Sequence, residues 1–241
     1  PWILGSSSGA ALFVALGMIF NFPIWSYPIF AAIGSVSSLL LVLIISNKCG
    51  FESSGIILSG IIVSVFLASL LQGFSYILSP DKRSDLIQWS MGRIQELPEI
   101  ELIIICSVIL SISFLILWLR STEIDICMFS DNEARSIGVD AVKMRKFIIV
   151  LSGILTACSV CICGPIAFIG LLAPHMARLI CSSHHKHLLY SSIILGSALL
   201  VIADSVRHLI DFGYGSWPVG IITGLVGAPC FLFLLITRRS L

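Results

Sequence analysis

Charge is what this sequence has least of. Only 11% of its 241 residues are Asp, Glu, Lys or Arg, against 57% hydrophobic, where a soluble domain carries roughly 25% charged residues. A soluble globular fold is excluded on that ground. No basic cluster interleaved with aromatics is present, and a net charge of +1 leaves no footprint for nucleic acid. The phosphate-binding G-x-x-x-x-G-K-[ST] is missing, so no P-loop ATPase is expected in this chain, and H-E-x-x-H is missing too. The chain opens at Pro1 without a methionine or a basic leader. No signal peptide is visible, and an upstream part is expected to be absent.

Long apolar runs are what the sequence has in plenty. A helix that crosses a bilayer needs roughly 20 such residues, and candidates recur from end to end: Ala10–Phe20, Ile29–Ser46, Ile56–Leu78, Leu102–Leu119, Phe147–Pro174, Leu188–Ile210 and Val219–Ile236. A polar stretch, Ser79–Glu101, separates the third run from the fourth. The 28-residue block Phe147–Pro174 is broken at Gly164-Pro165 and reads as one span or two. Charge discriminates between them. With two crossings, Lys48, Arg120, Arg135, Lys143, Arg145, Lys146, Arg178, Lys186, Arg238 and Arg239 share one side. Lys82, Arg83, Arg93 and Arg207 face the other, a split of ten to four. One crossing gives seven to seven, so the positive-inside rule favours two. The expectation is an all-α, polytopic membrane bundle with about eight transmembrane helices, forming a single domain over residues 1–241. Pro1, Asp131–Lys146 and the C-terminus then lie in the cytoplasm.

Asp131–Lys146, DNEARSIGVDAVKMRK, is the one long charged segment. Ala134, Ile137, Ala141 and Met144 recur at helical spacing and predict one apolar side. Glu133, Arg135, Asp140, Lys143, Arg145 and Lys146 cover the rest, and Gly138 is expected to divide the segment into two short helices. Such an element is either a docking knob for a partner's groove or a solvated loop.

Other candidates are fewer. Gly5-Ser6-Ser7-Ser8-Gly9 matches G-x-S-x-G, which would make Ser7 a nucleophile on a strand-to-helix elbow; close packing of membrane helices explains the run better. Cys158, Cys161 and Cys163 have no flanking His or Asp, whereas zinc sites want four convergent ligands, so they are read as small residues packing between helices. Asp204, Arg207, His208 and Asp211 share one helical face, for a pathway or partner or as internal pairs, with Arg207 near enough to the outer end to snorkel. His175 follows Pro174 at an expected sharp break. His184, His185 and His187 surround Lys186, either as a metal tract or as a solvated basic turn.

Five motifs in order resemble a known family. Pro1-x-x-Leu4-Gly5-x-x-x-Gly9-Ala10 is followed by Trp89-Ser90-Met91-Gly92 and by Ala134-Arg135-Ser136-Ile137-Gly138-Val139. Gly164-Pro165-Ile166-Ala167-Phe168-Ile169-Gly170-Leu171, with Pro174-His175 and Arg178, is the most specific. Pro218-Val219-Gly220, with Gly224, Gly227, Ala228 and Pro229, completes the set. The chain resembles, over essentially its whole length, the FecCD-type permease subunits of binding-protein-dependent ABC importers for iron–siderophores, haem and cobalamin.

The resemblance implies a ten-helix fold here lacking its first two helices, and a multi-pass protein of the bacterial inner membrane. It implies a homodimer with a second permease copy, two copies of a separate ABC ATPase, and a periplasmic substrate-binding protein. No cofactor, metal or catalytic residue is implied. Glu133, Ala134, Arg135, Ile137, Gly138, Val139, Lys143 and Arg145 would couple to the ATPase. Asn47, Ser53, Ser54 and Gly55, within the inner loop Asn47–Gly60, would form the cytoplasmic gate. Arg207 or His208 would dock the binding protein, and Gly164, Pro165, Gly170, Pro174, His175, Arg178, Asp204, Pro218 and Gly220 would be structural. The sequence departs from the family pattern at Arg93, at Ser216, and in placing Arg207 three and His208 four residues after Asp204. A secondary transporter, an intramembrane hydrolase and a truncated, non-transporting permease are the competing readings.

Overall fold

The computed structural model describes residues 5–48, 53–92, 100–129, 131–180, 184–209 and 217–238. Among them are eleven α-helices and no strand: α1 (Ser6–Ile19), α2 (Tyr27–Lys48), α3 (Ser53–Ser75), α4 (Pro80–Ser90), α5 (Ile100–Leu119), α6 (Ser121–Ile126), α7 (Asp131–Ser136), α8 (Ala141–Cys163), α9 (Ile169–Ile180), α10 (His185–Leu209) and α11 (Val219–Arg238). Five of them, α2, α3, α5, α8 and α10, are long and apolar enough to cross a membrane; α1, α9 and α11 are apolar but shorter. At about 1.5 Å per residue the long helices reach about 30 Å or more, which matches a hydrocarbon core.

The buried centre is α1, which packs on α2, α3, α4 and α8. Ala10, Val14, Ala15 and Met18 lie there with Ala31, Leu78, Leu86 and Val160. Small residues allow the approach: a Cβ on Gly9 would run into the Gly34 carbonyl and the Ser38 side chain. Without a hydrophobic driving force between helices in lipid, such close van der Waals contact is what holds them together. Serines pack in the same layer by bonding back to their own helix, as Ser38 Oγ does to Ser35 O at 2.8 Å. Ser7 is the second residue of α1 and is buried, a packing position rather than the exposed one that a nucleophile elbow gives its serine. Cys161 Sγ donates to Pro28 O at 3.0 Å between α8 and α2, a packing use for that cysteine.

Chain direction follows from the contacts at the helix ends. One end joins Asn47 of α2 to Lys146 of α8 (2.8 Å) and Asp125 of α6 to His185 of α10 (2.5 Å). The other joins α1 to α4 through Lys82 Nζ and Met18 O (2.9 Å), and Gly92 to Val219 at the start of α11 (3.1 Å). The apolar helices therefore run alternately between a polar end and a glycine–proline end. Gly164 (φ 65°) and Phe168 (φ 66°) turn the chain between α8 and α9. The block Phe147–Pro174 is thus divided, and α9 heads back toward the polar end.

Several local expectations are corrected. Gly138 does end α7, but the second half of the charged segment is not a short helix. It is the first turn of the 23-residue α8, because nothing after Asp140 interrupts propagation. Pro174 does not break the chain; it sits inside α9, where its fixed φ is already helical and one N–H is lost. The inner loop expected over Asn47–Gly60 is mostly helix, with Ser53, Ser54 and Gly55 in the first turn of α3. The polar stretch after α3 holds an unforeseen helix, α4, which starts with Pro80 at its first position. Lys82 and Arg83 of α4 donate to carbonyls at the ends of α1 and α3, Arg83 Nε to Ser75 O at 2.8 Å. Such bonds satisfy the carbonyls that a helix end leaves open. Arg93, Asp211 and Ser216 lie outside the described residues, as do Pro1 and Leu4.

Candidate functional site at the polar end

The charged segment folds into a short helix, a tight turn and a capped long helix. α7 ends in a Schellman motif: Val139 N–H donates to Ala134 O (2.9 Å) and Gly138 N–H to Arg135 O (3.0 Å). Gly138 occupies the left-handed position at φ 91°, with open space around it. The next helix is capped at once. Asp140 accepts from the Lys143 N–H at 3.1 Å, and Lys143 Nζ stands 3.3 Å from the other carboxylate oxygen. That main-chain bond, with the Lys143 charge, holds the Asp140 carboxyl below its ordinary range.

The four apolar residues at helical spacing do not share one fate. Ala134, Ala141 and Met144 are buried, whereas Ile137 is 63% exposed. The turn at Gly138 rotates Ile137 off the buried face. It leaves a branched apolar side chain at the tip, beside exposed Arg135 and Ser136. Glu133 is exposed too, Val139 is half-buried, and Arg145 is half-buried at the base of α8. The base is tied down: Lys146 Nζ donates to Asn47 Oδ1 at 2.8 Å, and the Arg120 guanidinium lies 4.9 Å from the Phe147 ring centroid. The structure thereby brings the expected gate residue Asn47 against the charged segment. Ser54 and Gly55 stand in the first turn of α3, without a contact to that segment among the described interactions.

Asp125, on α6, is a site that the sequence reading missed. The His184–His187 turn is not simply solvated, since His185 and Asp125 meet at 2.5 Å, both largely buried. Burial pushes the Asp125 carboxyl up, but the hydrogen bonds from His185 outweigh it and hold it below its ordinary value.

The opposite end is built from backbone. Gly92 (φ 77°), closing the Trp89-Ser90-Met91-Gly92 motif, would press a Cβ to 2.7 Å from Ile166 and 3.0 Å from the Pro165 carbonyl. A Cβ on Gly220 would overlap the Met91 carbonyl. Three motifs far apart in the sequence, around Gly92, Gly164-Pro165 and Pro218-Val219-Gly220, therefore converge on one junction. His175 packs edge-on against Phe231, 5.1 Å between centroids, linking α9 to α11. Gly170 and Arg178 are exposed on α9.

Arg207 does not snorkel. Its side chain is 3% exposed and ion-paired at 3.0 Å to Asp204, three residues earlier on the same helix. His208, 60% exposed, is the outward-facing basic group of the pair.

Known proteins share this arrangement. A solved inward-facing metal-chelate type ABC transporter superposes with a TM-score of 0.88 at 28% identity, covering 98% of this chain and 76% of that one. An iron chelatin transport system permease protein of Helicobacter pylori is 33% identical over 240 residues, 100% of this chain and 72% of that protein. The Fe(3+)-citrate import system permease protein of Bacillus subtilis is 32% identical over 247 residues, with 100% and 72% covered. The model of the FecCD transport family matches residues 1–237. The chain belongs to the FecCD transport family.

Proposed function

We propose that this chain is the permease subunit of an ABC importer that moves a metal chelate, of iron–siderophore, haem or cobalamin type, into the bacterial cytoplasm. It works as a single domain whose eight apolar helices all cross the inner membrane, with the polar end inside. Two copies form the path. Two copies of a separate ATPase act from the cytoplasm, and a substrate-binding protein delivers cargo outside. The observation that carries the reading is Ile137: an apolar side chain held out at the tip of a capped turn, beside exposed Arg135, while its periodic partners are buried.

The mechanism is mechanical. ATP binding closes the ATPase pair, and the groove that holds Ile137 and Arg135 moves. Because α7 is capped into α8 through Asp140, and α8 is tied to α2 through Lys146 and Asn47, displacement of the tip passes into two long helices. The bundle then exchanges outward- and inward-open states. The chain performs no covalent step, and no catalytic group is required of it. Asn47, Ser53, Ser54 and Gly55 border the inner mouth. On the outer side His208, rather than buried Arg207, meets acidic groups of the binding protein.

Uptake of a labelled ferric chelate into proteoliposomes holding the permease, an ATPase and a binding protein tests this. Uptake should require ATP and should be lost with Ile137→Asp. Uptake driven by an ion gradient without ATP would instead make the chain a secondary transporter.

A further inference from the structure

α10 begins against α6. The Asp125 carboxylate, 27% exposed, receives three groups from the first turn of α10. The His185 main-chain N–H reaches Oδ1 at 3.1 Å, His185 Nδ1 lies 2.5 Å from the same oxygen, and His184 Nδ1 lies 3.6 Å from Oδ2. A main-chain N–H at a helix start has no partner within its own helix, so here one helix supplies the cap of another. Next to it, Lys186 Nζ lies 4.3 Å from the Trp118 ring centroid at the end of α5, a second stitch that joins α10 to the helix before α6.

The place of this joint in the chain matters. α6 ends at Ile126 and α7 starts at Asp131, so Asp125 stands one short connection from the proposed ATPase contact. α10 is the 25-residue helix whose far end carries Asp204, Arg207 and His208. We propose that Asp125 is a positioning residue of the transport cycle. It fastens α6 to the first turn of α10, so that displacement of α7 reaches α10. This rests on the ABC-importer reading.

Hydrogen bonds to an ionised carboxylate are stronger than those between neutral groups. From α10, Asp125 is faced by His184 and His185, with Lys186 and His187 following in the same turn. From its own side it has Arg120 and Glu123, which pair with each other at 3.5 Å.

Two measurements on the assembled complex test the proposal: hydrogen exchange of the amides of residues 185–188, and chelate uptake per ATP hydrolysed. For Asp125→Ala, exchange should rise about tenfold, as for loss of one hydrogen bond to a charged group. Uptake per ATP should fall by about the same factor, while the ATPase still co-purifies. The double variant His184→Gln, His185→Gln keeps the main-chain bond. It should keep slow exchange, and its uptake per ATP should fall less than that of Asp125→Ala. Unchanged exchange in Asp125→Ala would overturn the joint. Faster exchange with undiminished uptake per ATP would overturn the relay and reduce Asp125 to a structural cap. Exchange in the double variant as fast as in Asp125→Ala would overturn the main-chain bond as the fastening contact. If the wild-type chain recovers no ATPase, the importer reading falls and the relay with it, while the exchange result still judges the joint separately.

Discussion

The two ends of this molecule are held by different physics. At the glycine–proline end, beyond the bonds that Lys82 and Arg83 of α4 make, backbone lies on backbone: Val219 N–H bonds to Gly92 O at 3.1 Å, and Gly220 leaves no room for a side chain over Met91. At the polar end, side chains do the joining: Lys146 to Asn47, Asp140 to Lys143, Asp125 to His185. Backbone contacts of that closeness admit one geometry, because packed interiors yield little to added volume. Single hydrogen bonds at a surface are worth about 1 kcal/mol each and can be exchanged. The first end is suited to stay fixed, the second to move and to meet a partner.

Substitutions can break that contrast. Gly220→Val should do most damage, about 3 kcal/mol or more, because the added atoms meet a carbonyl rather than a flexible side chain. The detergent-solubilised chain should melt several degrees lower. An unchanged Tm would mean that the junction is loose. Gly138→Ala should cost about 1–2 kcal/mol, confined to α7, since an L side chain is strained at φ 91° but finds open space. Its signature is faster amide exchange at residues 137–139 with the global Tm nearly constant.

Acid gives the smallest and most selective effect. Asp125 and Asp140 both ionise more readily in the fold than in the unfolded chain. Their contribution is therefore present above the ordinary carboxylate pKa of about 3.9 and is lost as pH falls through the lower folded-state values. Amides at residues 141–144 and 185–188 should lose protection below about pH 4, before those at residues 219–222. Simultaneous loss at both ends would mean that the two are not independent.

Much of this was readable from sequence because it is local. Run lengths gave the long helices, Gly164-Pro165 gave the division between α8 and α9, and Gly138 gave the end of α7. The charge count separated the two ends before any contact was known. What escaped depends on partners distant in the chain. Asp125 looks like one more acid after α5 until His185, 60 residues later, meets it. α4 lacks an apolar stripe strong enough to declare a helix, and its Lys82 and Arg83 acquire a purpose only beside the ends of α1 and α3. Arg207 counted as a surface charge because its burial depends on Asp204 and the start of α11. Ile137 was grouped with Ala134, Ala141 and Met144 by spacing, but α7 ends at Ser136 and helical spacing does not carry into the turn that follows.

The central claim is that the tip of the charged segment is where the ATPase holds the permease. Co-purification of an ATPase partner with the wild-type chain and with an Ile137→Asp, Arg145→Glu variant tests it most directly. Loss of the complex in the variant, with its Tm kept within a few degrees, is the expected result. Equal recovery of the ATPase by both chains would contradict the claim and make that segment only a loop between α6 and α8.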